Sequence, residues 1–201
     1  MEYILIITFS YLCGSIPFGL ILTSTFSNQD IRKTGSGNIG ATNVLRTGNK
    51  YLAAGTLILD VFKGFLPVII TIHYYPEKIQ ISALMAFLGH VFPIWLNFKG
   101  GKGVATYLGI LFATSLSLAF LFIFTWVIIS LTFKYSSVSS MFASLTVFIV
   151  AIVKDNIISA INPKFIFYND INYILFIFFI LIIFNHKKNI SNLKNKIEKK
   201  I

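Results

Sequence analysis

The amino-acid sequence predicts an all-α, polytopic integral membrane protein with seven transmembrane helices. Composition carries the first part of that reading: 56% of the 201 residues are hydrophobic and 12% are charged, where a soluble domain carries about 25% charged residues. Segment length carries the second, because several apolar stretches approach or exceed the roughly 20 residues that cross a bilayer as a helix. The placement of lysine and arginine carries the third and fixes the number of spans. The polar stretches between spans are too short for a separate domain, so residues 1–201 read as a single membrane-embedded domain.

In chain order the apolar segments cover residues 3–24, 51–74, 81–97, 104–133, 139–153 and 171–184. The first is too long for the apolar region of a signal peptide and lacks a basic leader and a small-residue cleavage site, so it is expected to stay in the mature protein. It holds the only cysteine, Cys13, which can form no intrachain disulfide and is expected to pack inertly. Segment 104–133 would be about 45 Å long as one helix, against a hydrocarbon core of roughly 30 Å. The small polar run Thr114-Ser115-Leu116-Ser117 offers a turn that divides it into two short crossings. No internal repeat is visible, and only the Lys/Asn-rich tail is low in complexity.

Orientation supports that division. Loops bearing Arg32, Lys33, Arg46 and Lys50, and Lys99 and Lys102, belong on the cytoplasmic side by the positive-inside rule. Six spans would put the tail, with Lys187, Lys188, Lys194, Lys196, Lys199 and Lys200, outside; seven return it to the cytoplasm, with the N-terminus outside. The inner face then holds 13 of the 17 basic residues; Lys78, Lys154 and Lys164 fall outside and Lys63 lies within a span. The net charge of +10 therefore reads as juxtamembrane anchoring and anionic ligands, with membrane lipids as partners. No basic helix stripe or nucleic-acid-binding module is present, so nucleic acid is not an expected partner.

Three polar blocks interrupt the apolar chain. The first, GSGNIGATNVLRTGNK, runs from Gly35 to Lys50. Glycines at 35, 37 and 40 let a backbone curl its N–H groups toward an anion. Gly37, Asn38, Thr42 and Asn43 are the phosphate-binding candidates, Ser36 could bond a phosphate oxygen or a reacting carbonyl, and the Arg46 guanidinium can hold a phosphate with two parallel bonds. The second block is Phe98 to Thr106, FKGGKGVAT. A glycine loop feeding a helix start suits an anion, which makes Lys99, Gly100, Gly101, Lys102 and Gly103 further phosphate-binding candidates. It is not a Walker A loop. The competing reading gives these glycines only turns to make and these lysines only topology to set. The third block, from His186, places His186 and Asn189 on one side of a helix; an amphipathic basic tail on anionic lipid is its alternative.

Asp60 and Lys63 can pair at i, i+3 inside the second apolar segment, and ionisable groups there are functional candidates. His90 at a helix end reads as a structural hydrogen-bonder, and His73 as interfacial. No metal site is expected, because histidines and carboxylates do not cluster; no cofactor is expected either. A Ser-His-Asp order and a GxSxG elbow are both missing, so transfer chemistry would lean on an activated substrate.

The run Gly14-Ser-Ile-Pro17-Phe-Gly19, the stretch GSGNIGATNVLR, Asp60…Lys63-Gly64…Pro67, GHVFP…FKGGKGVAT, Lys134-Tyr-Ser-Ser137 and the tail H-x-x-N-I-x-x-L…E together resemble the bacterial membrane family of acyl-phosphate-dependent glycerol-3-phosphate acyltransferases. The resemblance covers nearly the whole chain. It implies a seven-helix, multi-pass enzyme of the inner (plasma) membrane, its active site on the cytoplasmic face, that moves a fatty acyl group from acyl phosphate to the 1-hydroxyl of sn-glycerol 3-phosphate. The products are lysophosphatidic acid and phosphate, in the first acylation of phospholipid synthesis. It implies catalytic roles for Ser36, Arg46, His186 and Asn189, glycerol 3-phosphate binding by Gly100, Gly101, Lys102 and Gly103, and a mainly structural Glu198. The soluble enzyme that makes acyl phosphate is a candidate partner. The tail departs from the family pattern: Asn192 and Lys196 stand where similar proteins carry Arg and Gly, and Lys199 where Pro is common.

That chemistry fits the residues. Acyl phosphate is a mixed anhydride with a good leaving group, so no acyl-enzyme is required. Two anionic substrates need adjacent cationic, N–H-rich pockets, and proximity supplies much of the acceleration. Replacing Gly101 or Gly103 with Ala is expected to raise KM for glycerol 3-phosphate in a folded protein. A transporter for a phosphorylated solute is the alternative class, though an inverted repeat is missing; a purely structural anchor would leave the three blocks without a role.

Overall fold

The computed structural model describes residues 1–161 and 171–200. Among the described residues all regular structure is helical. They form two compact units, Met1–Ser115 and Leu116–Ile201.

The first unit begins with a broken helix. Helices α1 (Glu2–Ser15) and α2 (Phe18–Ser27) replace the single span expected over 3–24. Pro17 has no N–H to continue α1 and steers Ile16 to extended backbone (φ −62°, ψ 118°), which ends the helix. A short α3 (Ala41–Leu45) follows, then α4 (Lys50–Tyr74), whose first turn is capped by Asn49 accepting the N–H groups of Tyr51 and Leu52. Helices α5 (Ile79–Val91) and α6 (Val104–Thr114) complete the unit.

Small residues let these helices touch backbone to backbone, as membrane helices do. A Cβ on Gly14 would lie 2.0 Å from the Ala86 carbonyl oxygen, and one on Gly89 2.3 Å from that of Tyr11, so α1 and α5 cross with no room for side chains. Gly64 and Gly109 do the same for α4 and α6, at 2.2 Å from the Thr106 oxygen and 1.9 Å from the Val61 oxygen. Ser10 and Ser82 exchange a hydrogen bond at 2.9 Å across α1 and α5. Lys78, expected as an outer-loop charge, is buried: it pairs with Glu2 and with Glu77 (2.8 Å), with the Tyr3 and Tyr75 rings each 5.0 Å away.

Segment 104–133 divides as expected. Helix α6 stops at Thr114 and Ser115 is extended (φ −159°, ψ 103°). The second unit opens there with α7 (Leu116–Phe133), α8 (Ser136–Ile161), α9 (Ile171–Asn185) and α10 (Lys187–Lys194). Lys134, at φ 62°, turns the chain between α7 and α8, and Trp126 donates to Ser140 at 3.1 Å between them. Phe148 of α8 packs on Phe176 and Phe179 of α9. Lys164 lies outside the described residues.

Five helical stretches among the described residues are long and apolar enough to cross a membrane, and six if α9 and α10, bent by 53°, count as one. Helix α6 is apolar but has 11 residues, about 16 Å of rise, roughly half a hydrocarbon core. Helix α6 is thus shorter than the crossing expected of it, and the count of seven spans is not reached by length and apolarity among the described residues.

Candidate active site

The first block is built on a 3₁₀ turn, Ile31–Lys33. Asp30 caps it, accepting from the Arg32 backbone N–H (3.0 Å) and from the Arg32 guanidinium (2.9 and 2.8 Å). These bonds hold the Asp30 carboxyl down to about 2, so it stays ionised at neutral pH.

Beyond the turn, one side chain organises the loop. Asn43 is 2% exposed. Its amide donates to the carbonyls of Ile31 (3.1 Å), Thr34 (3.1 Å) and Asn38 (2.7 Å), and its Oδ1 accepts the Ser36 N–H at 2.8 Å. Expected among the phosphate-binding residues, Asn43 uses its side chain to hold the loop backbone together. Two of the N–H groups expected to form an anion nest are engaged within the loop. The N–H groups of Gly37 and Gly40 bond to the Thr34 carbonyl and the Asn38 side chain, each at 2.9 Å. The tight turn has another use: Gly35, at φ 56°, lies against Asn43, and its missing Cβ would be 3.6 Å from Arg46 Cδ. The Arg46 side chain therefore runs beside the Gly35–Ser36 turn. Ser36, Asn38, Thr42 and Arg46 are half-buried and Gly37 is exposed.

The second block folds back on the end of α5. Gly100 donates to the Val91 carbonyl and Gly101 to that of His90, both at 3.0 Å. Their N–H groups, expected to face an anion, are therefore turned into the protein. Both glycines are there for closeness. A Cβ on Gly100 would meet the His90 oxygen at 2.1 Å, and one on Gly101 the His90 imidazole at 2.0 Å. Gly103 opens α6 in the left-handed conformation (φ 84°) with the Phe87 ring 2.3 Å from its absent Cβ. Alanine at 101 or 103, expected only to raise KM, would on this geometry also cost stability, since the methyl collides with the core. What the block retains for an anion is the first turn of α6, where Val104, Ala105 and Thr106 have no acceptor four residues back, together with exposed Lys99 and half-buried Lys102.

The two blocks share one apolar floor. Ile31, Ile39, Val44 and Ala53 form a buried cluster beneath the first block, and Leu96, from the turn leading into the second, packs against it. The turn itself is fixed by Trp95 donating to Ser15 (2.8 Å) and by Tyr11 donating to the Phe92 carbonyl (2.6 Å). Asp60 and Lys63 pair at 2.8 Å, 2% and 3% exposed, beside His90 at 3%.

The third block lies in the second unit. His186 is buried, with Nδ1 2.8 Å from the Ile182 carbonyl oxygen. Asn189 donates to Glu198 at 2.6 Å. Glu198 also accepts from Ser137 and Asn192, each at 3.2 Å, and so ties the tail to the start of α8. Neither Ser137 nor Asn192 was singled out by spacing; Ser137 lay in the Lys134-Tyr-Ser-Ser137 run, and Asn192 was visible only as a departure. Among the described residues no group of His, Cys, Asp or Glu is placed to hold a metal ion.

A family model described as glycerol-3-phosphate acyltransferase matches residues 4–196. The glycerol-3-phosphate acyltransferase of Pelagibacter ubique (strain HTCC1062) is 53% identical over 200 residues, which cover 100% of this chain and 98% of the relative. That of Mesorhizobium japonicum is 46% identical over 198 residues, 98% of this chain and 95% of the relative. Among solved structures, the crystal structure of PlsY (YgiH), an integral membrane glycerol 3-phosphate acyltransferase, is similar in its glycerol 3-phosphate form with a TM-score of 0.88 and 32% identity, covering 100% of this chain and 96% of that one. Its lysophosphatidic acid form is similar with a TM-score of 0.85 and 31% identity. With the match running almost from end to end of both this chain and its relatives, the chain belongs to the glycerol-3-phosphate acyltransferase family.

Proposed function

We propose that this protein transfers a fatty acyl group from acyl phosphate to the 1-hydroxyl of sn-glycerol 3-phosphate, giving lysophosphatidic acid and phosphate. The hydroxyl oxygen attacks the acyl carbonyl carbon, the bond from that carbon to the phosphate oxygen breaks, and a phosphate oxygen of the donor takes the hydroxyl proton. The observation that supports the reading is Leu96, just ahead of the second block, packed on the apolar cluster beneath the first. Two anionic substrates held on neighbouring blocks react as neighbours, and effective molarity does much of the work.

In this reading Arg46 and Ser36 engage the donor, with Gly37, Asn38 and Thr42 around them, and a donor group such as the Ser36 hydroxyl stabilises the oxyanion. Lys99, Lys102 and the start of α6 hold glycerol 3-phosphate. Gly100, Gly101, Gly103 and Asn43 shape those surfaces through backbone position. His186 and Asn189 support catalysis from the tail. The chain works as one membrane domain of seven helices, α6 being the half-length one, in a bacterial inner membrane with the N-terminus outside and the three blocks cytoplasmic. The positive-inside bias supports that orientation. The acyl chain lies among the helices, and the soluble enzyme that makes acyl phosphate is the natural supplier of the donor.

The test is direct. Purified protein in micelles, given acyl phosphate and glycerol 3-phosphate, is expected to release phosphate only when both are present. Acyl transfer from a thioester donor, with none from acyl phosphate, would overturn the choice of donor.

A further inference from the structure

Three ionisable side chains are buried together inside the first unit, where such groups are costly unless they satisfy one another. Lys63 Nζ forms an ion pair with Asp60 Oδ1 at 2.8 Å and donates a hydrogen bond to the Ile16 carbonyl at 2.7 Å, with the Phe18 ring 5.8 Å away. The Ile16 carbonyl stands at the break made by Pro17 and is shared with the Phe18 N–H at 3.1 Å. His90 Nδ1 faces the same Asp60 oxygen at 3.9 Å. The other side of the imidazole faces the second block, where a Cβ on Gly101 would lie 2.0 Å from Nε2, and the His90 carbonyl accepts the Gly101 N–H at 3.0 Å.

We propose that His90 is a positioning residue for glycerol 3-phosphate, and that the Asp60–Lys63 pair holds its ring so that the loop leading into α6 is seated from inside the membrane. The proposal deepens the function proposed above and rests on it. Its chain of contacts is continuous: the break between α1 and α2 is bonded to Lys63, Lys63 to Asp60, Asp60 faces His90, and His90 seats Gly101. Three residues further on, Val104 begins the helix turn whose N–H groups face the substrate phosphate. A ring that fills the space against Gly101 leaves the loop one position; an emptied space leaves it several. An ångström of misplacement is enough to weaken a bound anion without touching the chemistry of the second substrate.

Two measurements test this. The first compares His90→Ala with the unaltered protein in micelles. The expected result is a KM for glycerol 3-phosphate raised about tenfold, with kcat and the KM for acyl phosphate within about twofold, the pattern of lost binding without lost catalysis. The second uses no substrate: Gly101→Ala is made alone and together with His90→Ala, and thermal unfolding is followed. Removing the ring makes room for the new methyl, so the destabilisation by Gly101→Ala is expected to be much smaller in the His90→Ala background. His90→Asn keeps a polar amide on the Asp60 side while withdrawing the ring from Gly101, and serves both measurements where Ala upsets the buried charges. An unchanged KM for glycerol 3-phosphate in either folded variant overturns the proposal, as does equal destabilisation by Gly101→Ala in both backgrounds. If the unaltered protein shows no transfer to glycerol 3-phosphate, the functional reading has failed instead, and the unfolding comparison still decides whether His90 seats the loop.

Discussion

Replacing Asn43 separates a loop-holding residue from a phosphate ligand. Its amide serves the carbonyls of Ile31, Thr34 and Asn38, and its oxygen serves the Ser36 N–H. The two hydrogens of the amide are shared among three acceptors, so Asn43→Ala removes about two bonds on that side and one on the other. At about 1–3 kcal/mol for each buried group left unsatisfied, and with Ser36 only half-buried, the local loss is about 3–6 kcal/mol. That is enough to open the loop without unfolding the helices. The assay is tryptic cleavage after exposed Arg32 and Lys33 in micelles without substrate, run beside transfer activity. Asn43→Ala is expected to be cut much faster and to be nearly inactive. Asn43→Asp keeps the acceptor for Ser36 but turns a second oxygen onto three carbonyls, so it is expected to be cut at least as fast as the alanine variant. Unaltered resistance to trypsin, with activity recovered at high substrate, would refute this reasoning and return Asn43 to the ligands.

Gly103→Ala adds a methyl against the Phe87 ring at a left-handed position, which is expected to cost about 2–5 kcal/mol from strain and overpacking; an unshifted unfolding temperature in micelles would contradict it. Lys196 adopts φ 59°, where glycine is at ease, so Lys196→Gly is expected to gain about 0.5–1 kcal/mol, read as a higher unfolding temperature, and a lower one would count against it. Cysteines placed singly at exposed Lys33, Lys99 and Lys188 are expected to react with an impermeant reagent only from the cytoplasmic side; reaction of Lys188→Cys from outside in intact cells would sink the proposed orientation.

Hydropathy made the helical class and the rough spans legible, because a bilayer imposes length and apolarity on any helix that crosses it. The division at Ser115 was legible too, since 104–133 is too long for one crossing and has a polar middle. The break at Pro17 went unread although its signal was present: apolar continuity from Tyr3 to Ser24 hid a residue that cannot continue a helix. The Asp60–Lys63 pairing could be read from spacing, but not the second partner of the lysine, the Ile16 carbonyl 47 residues away. In the tail, Asn192 looked like a loss relative to the family pattern, yet it donates to Glu198. The glycines were the least legible. A glycine-rich run permits a curled backbone, but whether its N–H groups face a ligand or the protein depends on what the loop folds against. Here the loop folds against α5, and Gly100 and Gly101 bond to Val91 and His90.

That accounting of donors bears on how anions are held. Among the backbone N–H groups of the two blocks, those of Ser36, Gly37, Gly40, Phe98, Lys99, Gly100 and Gly101 bond within the protein. In the proposed function, charge recognition then rests more on side chains and on the first turn of α6, which raises the weight on Arg46, placed beside the Gly35–Ser36 turn. If its fork holds a phosphate with two parallel bonds, a lysine ammonium cannot replace it, because a point charge lacks that planar geometry. Losing such a charge-assisted bond costs roughly 1.5–3 kcal/mol, or about ten- to a hundredfold in kcat/KM, and more if the anhydride is also misoriented. Arg46→Lys is therefore expected to be nearly as damaging as Arg46→Ala, with both variants inserting and purifying normally. Near-full activity in Arg46→Lys would mean that charge alone suffices at this position, and the two-bond role would pass to no residue of the first block; Lys99 or Lys102 would then be the better candidate for holding the phosphate.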